Sequence, residues 1–290
     1  MRYAFVDAHR ARFAVSAMCE VLEVSRSGYH AWRGRGPSAR ERQNTRLLTQ
    51  IRAIHAASEG NYGSPRVHRD LREQGTVVSL NRVRRLMKHN GIAARHKKKF
   101  RATTDSRHNL PVAPNLLAQR FVAEGPDEVW LADVSYIWTD EGWLYLACVL
   151  DLCSRLIVGW AMSERNDRKL VMSALGMAYF RRRPAHGLIH HSDRGSVYCS
   201  RDYQRLLQQY GMRCSMSRKA NCYDNAPMES WFKSLKVERV NQRRYRTRAQ
   251  ARSDVFSYIE TFYNTRRLHS SLDYVSPHEF ERRFAAKEAA

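Results

Sequence analysis

The sequence predicts a multidomain protein, with helical modules at its N-terminal end followed by an α/β domain built on a mixed sheet. The first 110 residues show the three- and four-residue apolar spacing of helices. Residues 129–162 instead contain three runs rich in Val, Ile, Trp and Tyr, which is typical of consecutive strands. Helix-type and strand-type segments alternate after those runs, as in a sheet flanked by helices.

The chain is strongly basic, which concerns its partners more than its fold. It has 290 residues, with 50 Lys and Arg against 28 Asp and Glu, and a formal net charge of +22. The first 110 residues carry +15 of that excess. The commonest polyanionic partner of such a chain is nucleic acid. A membrane surface is the rival partner, but we find no apolar run of about 18 residues and no signal peptide. We therefore expect a cytoplasmic, nucleoid-associated protein that binds double-stranded DNA and no membrane.

The six cysteines do not indicate a metal or disulfide framework. They form no C-x-x-C pair and no compact Cys/His spacing. A structural zinc site needs such a spacing, and a disulfide framework is typical of exported proteins. We expect six reduced thiols.

The N-terminal domain, residues 1–40, is predicted to contain a helix-turn-helix. Val15, Met18 and Leu22 follow helical spacing, and Ser25 is a plausible N-cap for a second short helix. Two short helices around a tight turn are the outline of this motif, although any helical hairpin has the same pattern.

A second helical DNA-binding module is predicted at residues 41–95. Leu47, Ile51 and Ile54 form an apolar stripe, and Ser79 caps a last helix that ends at Asn90. This last helix carries a basic face that we predict contacts DNA phosphates, although a solvated surface is the plain alternative. The face consists of Arg82, Arg85 and Lys88.

A basic linker, residues 96–125, is predicted to join the helical modules to the α/β domain. It begins with the lysines Lys97, Lys98 and Lys99. Such a run is usually a solvated arm, but between two modules it is well placed to follow a phosphate backbone.

The α/β domain is predicted at residues 126–240, and a helical region with a tail at residues 241–290. We expect strands at 129–138, 143–152, 156–162, 187–191 and 212–216, and helices at 168–183, 203–210, 227–240 and 249–265.

Three carboxylates of the α/β domain stand where chemistry is plausible. Asp133 interrupts an apolar strand, Asp193 directly follows another strand, and Glu229 lies in the first turns of a helix. Acids at these positions can meet at one edge of a mixed sheet, where they repel one another unless a cation neutralises them. Oxygen ligands favour Mg²⁺ or Mn²⁺, and a pair of such ions about 4 Å apart serves phosphodiester chemistry.

The helix after Pro227 adds two ammonium groups to the acid. Lys233 and Lys236 follow Glu229 along one face, where they are predicted to bind a DNA strand. The plain alternative is an ordinary surface pair of Glu229 with Lys233. Asn225, in the loop before this helix, is predicted to close over the DNA end, and Asp224 to act as a cap.

Two histidines precede Asp193 and are weaker candidates. His190 and His191 continue a strand, and one histidine of such a pair is usually packed in the core. We expect them to support the site rather than to bind a metal.

Three sequence blocks resemble a known family when taken together. They are WLADVSYI around Asp133, HHSDRGSVY around Asp193, and NCYDNAPMESWFKSLK around Glu229. They resemble the DDE transposases of bacterial insertion sequences, most closely the second-reading-frame (OrfB) product of the third insertion-sequence family. The last two acids have 35 residues between them, as in that group, and Lys236 stands seven after Glu229. YGSPRVHRDL and YNTRRLHSSLDYVSPHEF extend the likeness to about residues 15–285.

The resemblance implies a ribonuclease-H-like, integrase-type core with a mixed five-stranded sheet. It also implies that Asp133, Asp193 and Glu229 hold two Mg²⁺ ions, for which Mn²⁺ can substitute, and that the protein cleaves and joins DNA at insertion-sequence ends. The implied partners are the first-reading-frame product, or a fused form, and further copies of the chain on DNA. Two other functions stay open: a DNA-binding regulator or inhibitor of the fused transposase, and a nuclease without the joining step.

Overall fold

The computed structural model describes residues 1–95, 111–218 and 222–289. Its first three helices are α1 (Arg2–His9), α2 (Val15–Val21) and α3 (Arg26–Gly34). They pack around Val6, Met18, Cys19 and Tyr29. Ser25 caps α3 as expected, since its hydroxyl accepts a hydrogen bond from the Gly28 amide at 2.8 Å. The predicted helix pair is therefore present, and α1 is an additional helix packed against it.

The next three helices, α4 (Ala39–Ala57), α5 (Ser64–Glu73) and α6 (Leu80–His89), share a second core. A capping box between Ser38 and Glu41 starts α4 at Ala39, eight residues before Leu47, the first residue of its apolar stripe. Ser79 caps α6 as predicted, and the helix ends at His89, one residue before the expected end at Asn90. Leu268, from the C-terminal region, completes this core.

The α/β domain contains the predicted mixed sheet of five strands. They are β1 (Val129–Thr139), β2 (Gly142–Asp151), β3 (Ile157–Ser163), β4 (Ile189–Ser192) and β5 (Arg213–Met216). Their order in the sheet is β3-β2-β1-β4-β5. The first three strands form an antiparallel meander, and β4 and β5 run parallel to β1.

Helices cover both faces of this sheet. Alternate residues of β1 divide between two cores: Trp130 and Ala132 pack with α7 (Arg168–Arg182) and α8 (Arg201–Gln209), whereas Leu131 and Ile137 pack on the other face. That other face holds α9 (Ala226–Glu238) and α10 (Arg248–Ser257). The period-two alternation of β1 therefore decides which layer each of its side chains meets.

The C-terminal region differs from the single helix and tail predicted for it. The helix α10 continues as a π-helical turn at Tyr258–Tyr263, and a further helix, α11 (Pro277–Glu288), occupies the expected tail. Asn264 ties the segment between them to β3, because its amide group exchanges hydrogen bonds with the backbone of Ile157 at 3.0 and 3.1 Å. None of the helices in the described ranges is long and apolar enough to cross a membrane.

Candidate active site

The parallel pairing of β1 with β4 brings Asp133 and Asp193 side by side. Residues 129–132 pair in register with residues 189–192, ending with Ala132 opposite Ser192. Asp133 directly follows Ala132, and Asp193 directly follows Ser192. Because neighbouring strands lie about 4.8 Å apart and residues in parallel register point to the same face, the two carboxylates share one edge of the sheet.

The helix α9 adds Glu229 to this edge. Met228, Trp231, Phe232 and Leu235 form its buried stripe, in the core that also contains Leu131 of β1. Packing of this stripe fixes the rotation of α9 and leaves Glu229 exposed in its first turn.

The charges of Asp193 and Glu229 both act on Asp133. Its pKa lies well above the usual range, first because of burial, then because of the nearby charge of Asp193, and to a smaller extent that of Glu229. A hydrogen bond of 2.7 Å from the Val134 amide and the charge of Lys236 act in the opposite direction. Partial burial of its carboxyl group also raises the pKa of Glu229, and the charge of Lys233 lowers it. These carboxylates destabilise one another's charged forms.

The lysine Lys236 stands between an acid and an aromatic ring. Its Nζ atom lies 4.8 Å from the centroid of the Tyr136 ring. Burial lowers the pKa of Lys236, and the charge of Asp133 counteracts that shift. The ammonium group is therefore held at the carboxylate edge by a cation–π contact.

The donor set at this edge fits a divalent cation by its chemistry. Carboxylate oxygens are the ligands that Mg²⁺ prefers, and a cation would relieve the repulsion that raises the pKa of Asp133. Within the described ranges, however, no group of three His, Cys, Asp or Glu side chains is drawn together as a ready-made metal cluster.

The amide of Asn225 braces the helix against the strand. Its Nδ2 atom donates a 3.3 Å hydrogen bond to the carbonyl of Ala132, directly before Asp133. The side chain is 5% exposed, and its Oδ1 atom has no partner among the described residues. Asn225, predicted to contact DNA, is thus placed to hold Asp133 relative to α9.

Asp224 has a different role from the helix cap predicted for it. The N-cap position of α9 is occupied by Asn225 and not by Asp224. The side chain of Asn225 makes no capping hydrogen bond. Asp224 is instead fully buried and accepts hydrogen bonds from Arg218, Asn115 and Gln119 at 2.7–3.0 Å. Those bonds, chiefly from Arg218, hold the pKa of Asp224 far below its usual range. Asn115 and Gln119 lie in the stretch read only as linker, and no pattern marks them.

The two histidines before Asp193 are packing residues. His191 hydrogen-bonds the hydroxyls of Ser215 and Ser217 at 2.8 and 3.2 Å, and His190 that of Tyr203 at 3.0 Å. Burial lowers the pKa of His190 to about 3 and that of His191 to about 4. Both rings are therefore neutral and support β4 from within the fold.

The remaining predicted contacts lie away from the carboxylates. Arg85 and Lys88 are exposed on α6, whereas Arg82 turns back to Asn44 of α4, with its Nε and Nη2 atoms 3.0 and 2.8 Å from Asn44 Oδ1. Lys97, Lys98 and Lys99 lie outside the described residues.

Protein-family models match most of the chain. An "Integrase core domain" model matches residues 123–222, a second model of the same description matches residues 229–284, and an "HTH-like domain" model matches residues 42–100.

Curated proteins resemble the chain over nearly its whole length. The "Insertion element IS600 uncharacterized 31 kDa protein" of Shigella sonnei is 48% identical, with 92% of this chain and 98% of that protein covered. The "Transposase InsF for insertion sequence IS3A" of Escherichia coli (strain K12) is 43% identical, with 97% and 98% covered.

Solved structures show more distant likenesses. The HTLV-2 integrase catalytic core domain in complex with magnesium (trimeric form) matches with 13% identity and a TM-score of 0.45, covering 55% of this chain and 99% of that one. The catalytic core domain of BIV integrase matches with 15% identity and a TM-score of 0.41, covering 57% and 99%.

Proposed function

The chain belongs to the IS3 family of insertion-sequence transposases with an integrase core domain, and from that premise we propose that it cleaves and joins DNA at insertion-sequence ends through a magnesium-dependent site of Asp133, Asp193 and Glu229. As a transposase it is a polynucleotidyl transferase. The proposal specifies which residues carry that activity and which cofactor they need.

One observation carries this proposal. The register of β1 and β4 ends directly before the two aspartates, and α9 brings Glu229 close enough for its charge to raise the pKa of Asp133. A protein that only binds DNA gains nothing from acids gathered beside a polyanion, because they repel phosphates. The arrangement therefore favours catalysis over regulation by binding alone.

Different residues of the site would hold the metal ions and bind the DNA. A pair of bound Mg²⁺ ions would activate the attacking oxygen and stabilise the leaving oxygen of a phosphodiester. Asp133, Asp193 and Glu229 would hold them. Lys236, kept at this edge by Tyr136, is placed to bind a phosphate of the reacting strand, and the exposed Lys233 lies one helical turn nearer Glu229.

The DNA contacts outside the site are proposed at two further places. The exposed Arg85 and Lys88 of α6 would contact phosphates directly. Arg82, which was predicted to do the same, would instead support this face by joining α6 to Asn44 of α4. Lys97, Lys98 and Lys99 would follow the backbone between the modules. Replacing these three lysines with Gln should flatten the salt dependence of DNA binding, and an unchanged slope would contradict their role.

We also propose partners and a place of action. Joining two element ends requires that copies of the chain meet on DNA, and the family resemblance adds the first-reading-frame product or a fused form. The place of action would be the bacterial cytoplasm. Measuring the mass of the complex on paired ends, with and without the upstream product, tests the partners.

The decisive experiment uses a branched DNA that mimics the joined product. The purified chain with Mn²⁺ should resolve this substrate, because the reverse reaction makes little demand on end recognition. Asp193→Asn keeps the size of the side chain but removes its charge. It should bind the DNA normally while losing resolution by about 100- to 1,000-fold, the usual loss when one group that stabilises transition-state charge is removed. Ser196→Ala, in the loop after Asp193, is the control and should remain active.

The outcomes separate the competing functions. Resolution by Asp193→Asn would exclude the three-carboxylate site. Hydrolysis of a cleaved end without transfer of its 3′-hydroxyl would indicate a nuclease. If neither wild type nor a fused two-frame protein resolves the branched DNA, although both bind it, the function as a regulator or inhibitor would be favoured.

A further inference from the structure

A cleft of about 740 Å³ lies between α9, the second helical module and the segment after the π-helical turn. From α9 it is lined by Ser230, Ser234 and Val237, which occupy a different face from Glu229 and Lys236. The cleft is therefore separate from the carboxylate edge, although both are built on one helix.

The lining of this cleft is basic. Arg66, Arg95, Arg155 and Arg267 reach it, and among the described residues that line it the one acid is Glu238. Glu238 is fully engaged within the protein, because its carboxylate accepts hydrogen bonds from Arg267 at 2.6 and 2.8 Å and from a tyrosine hydroxyl at 2.7 Å. The other arginines have no matching acid among the lining residues that the structure describes.

The guanidinium of Arg155 has no direct partner among the described residues, although the charge of the nearby Asp151 favours its charged form. It makes no ion pair or hydrogen bond in the part of the chain that the structure describes. Nearby, burial and then the charges of Arg267, Arg66 and Arg155 lower the pKa of His269 to about 2. Several guanidinium groups thus act on one point of the cleft, which favours an anionic occupant.

Two buried polar atoms in the lining also lack partners. The indole Nε1 of Trp231 and the amide Oδ1 of Asn61 have none among the described residues, and their side chains are 2% and 7% exposed. Leaving such groups unpaired costs free energy. One atom is a donor and the other an acceptor, so a ligand with both acceptor and donor groups would satisfy them.

The size and the aromatic lining narrow the class of anion. Phe121 and Tyr274, both half-buried, line the cleft. Its volume is in the range of small-ligand clefts, far below what a duplex would need. Aromatic side chains beside guanidinium groups are typical of sites for unpaired nucleotides, whose bases stack while their phosphates bind Arg.

We propose that this cleft binds an unpaired nucleotide of DNA, with its phosphate against Arg155 and its base against the aromatic lining. The inference rests on the proposed function in so far as DNA is the substrate. It adds a site for a single-stranded flank that is separate from the site of chemistry.

The first test is a binding titration in EDTA, where no cleavage occurs. Fluorescence anisotropy compares duplex DNA that has a single-stranded overhang with the same duplex made blunt, at several salt concentrations. Arg155→Gln should weaken binding of the overhang DNA by about tenfold, the worth of one charge-assisted hydrogen bond. The slope of log K against log salt should fall by about 0.7, as for one contact to a single strand.

Two controls keep the test specific. Arg165→Gln removes the same charge from an exposed position outside the cleft, and it should leave the binding of both the overhang and the blunt DNA unchanged. Ser271→Asp places a negative charge on an exposed residue at the edge of the cleft and should weaken binding of the overhang DNA, whereas the neutral Ser271→Asn should not.

Three results would overturn the inference. One is equal loss by Arg155→Gln on blunt and overhang DNA, and another is no loss on either. The third is stabilisation of wild type, but not of Arg155→Gln, by inorganic phosphate with overhang binding unchanged, which would indicate a small-anion site. Because the assay contains no metal, Asp193→Asn should bind like wild type, so failure of the catalytic proposal stays distinguishable.

Discussion

The charge of Asp133 destabilises the folded chain when no cation is bound. Burial and the neighbouring acids raise its pKa, so the folded protein favours the neutral form. The penalty is absent below the ordinary pKa of aspartate, about 3.9, and it grows as the pH rises towards the folded value. A site suited to a metal therefore costs stability without it.

Replacing this carboxylate should stabilise the metal-free protein. In EDTA at about pH 8, where aspartate is ionised in the unfolded chain, Asp133→Asn should raise Tm by about 2–4 °C, the shift typical of 1 kcal/mol in a chain of this size. The gain should shrink as the pH falls towards about 4. Differential scanning calorimetry measures both, with the exposed Asp140→Asn as control.

Adding Mg²⁺ should reverse the order of the Tm values of wild type and Asp133→Asn. Wild type should gain Tm by binding the ion, whereas Asp133→Asn should gain little. A variant less stable than wild type in EDTA would contradict this account of the pKa shift.

The residues of the site were only partly predictable from the sequence. An acid inside an apolar strand stands out, so Asp133 could be chosen, and the acid after the next parallel strand follows from it. The ring of Tyr136 beneath Lys236 could not be foreseen, because that contact depends on the rotation of α9. Nor could the bond from Arg82 to Asn44, since both residues look like surface positions in the sequence.

At the scale of elements, Gly159 lets α7 lie directly on β3. A Cβ atom there would come within 2.3 Å of the carbonyl oxygen of Ala174 and 2.6 Å of the amide of Ala178. Both are backbone atoms of a helix, so they cannot move aside independently. The close approach of these two elements therefore requires a residue without a side chain.

Adding one methyl group should separate α7 from the sheet. Gly159→Ala should lower the free energy of unfolding by about 1–3 kcal/mol through overpacking. The matched control is Gly176→Ala, in α7 itself, where the nearest atom to an added Cβ is 3.9 Å away. That change should stabilise the helix by about 0.5–1 kcal/mol. Urea denaturation measures both, and equal effects would refute the packing argument.

Most elements were predictable because turn signals bound them. Asp140 and Gly142 separate β1 from β2, and Ser79 and Asn90 delimit α6. The missed elements lack such signals: α1 has no side-chain cap, and the π-helical turn has no sequence pattern of its own. α11 does begin with Ser276 and Pro277, a start signal that was available but was read as part of the tail.

At the scale of the whole molecule, one tyrosine joins the second helical module to the C-terminal region. The hydroxyl of Tyr62 donates to the carbonyl of Arg266 and accepts from the amide of Leu268, both at 3.0 Å. Arg66 adds a 2.8 Å bond to the Leu268 carbonyl. Since Leu268 also completes the core of the module, the two parts fold as neighbours.

Removing this one hydroxyl should loosen the junction. Tyr62→Phe leaves a buried amide and a carbonyl unpaired, which costs about 1–3 kcal/mol. Hydrogen exchange should then show faster exchange in α4, α5 and α6, with the sheet unchanged. Tyr179→Phe is the matched control, because its hydroxyl makes no hydrogen bond in the part of the chain that the structure describes. Protection lost evenly over the whole chain would contradict a local junction.

The separation of the three acids along the chain has a consequence for synthesis. Asp133 and Asp193 can meet only when β4 has joined β1, and Glu229 arrives 36 residues after Asp193, when α9 can pack. A nascent or shortened chain would therefore carry the DNA-binding helices before it carries a complete set of acids. Under the proposed function, translation order itself would delay cutting until the protein is nearly whole, and interrupted products would bind DNA without breaking it.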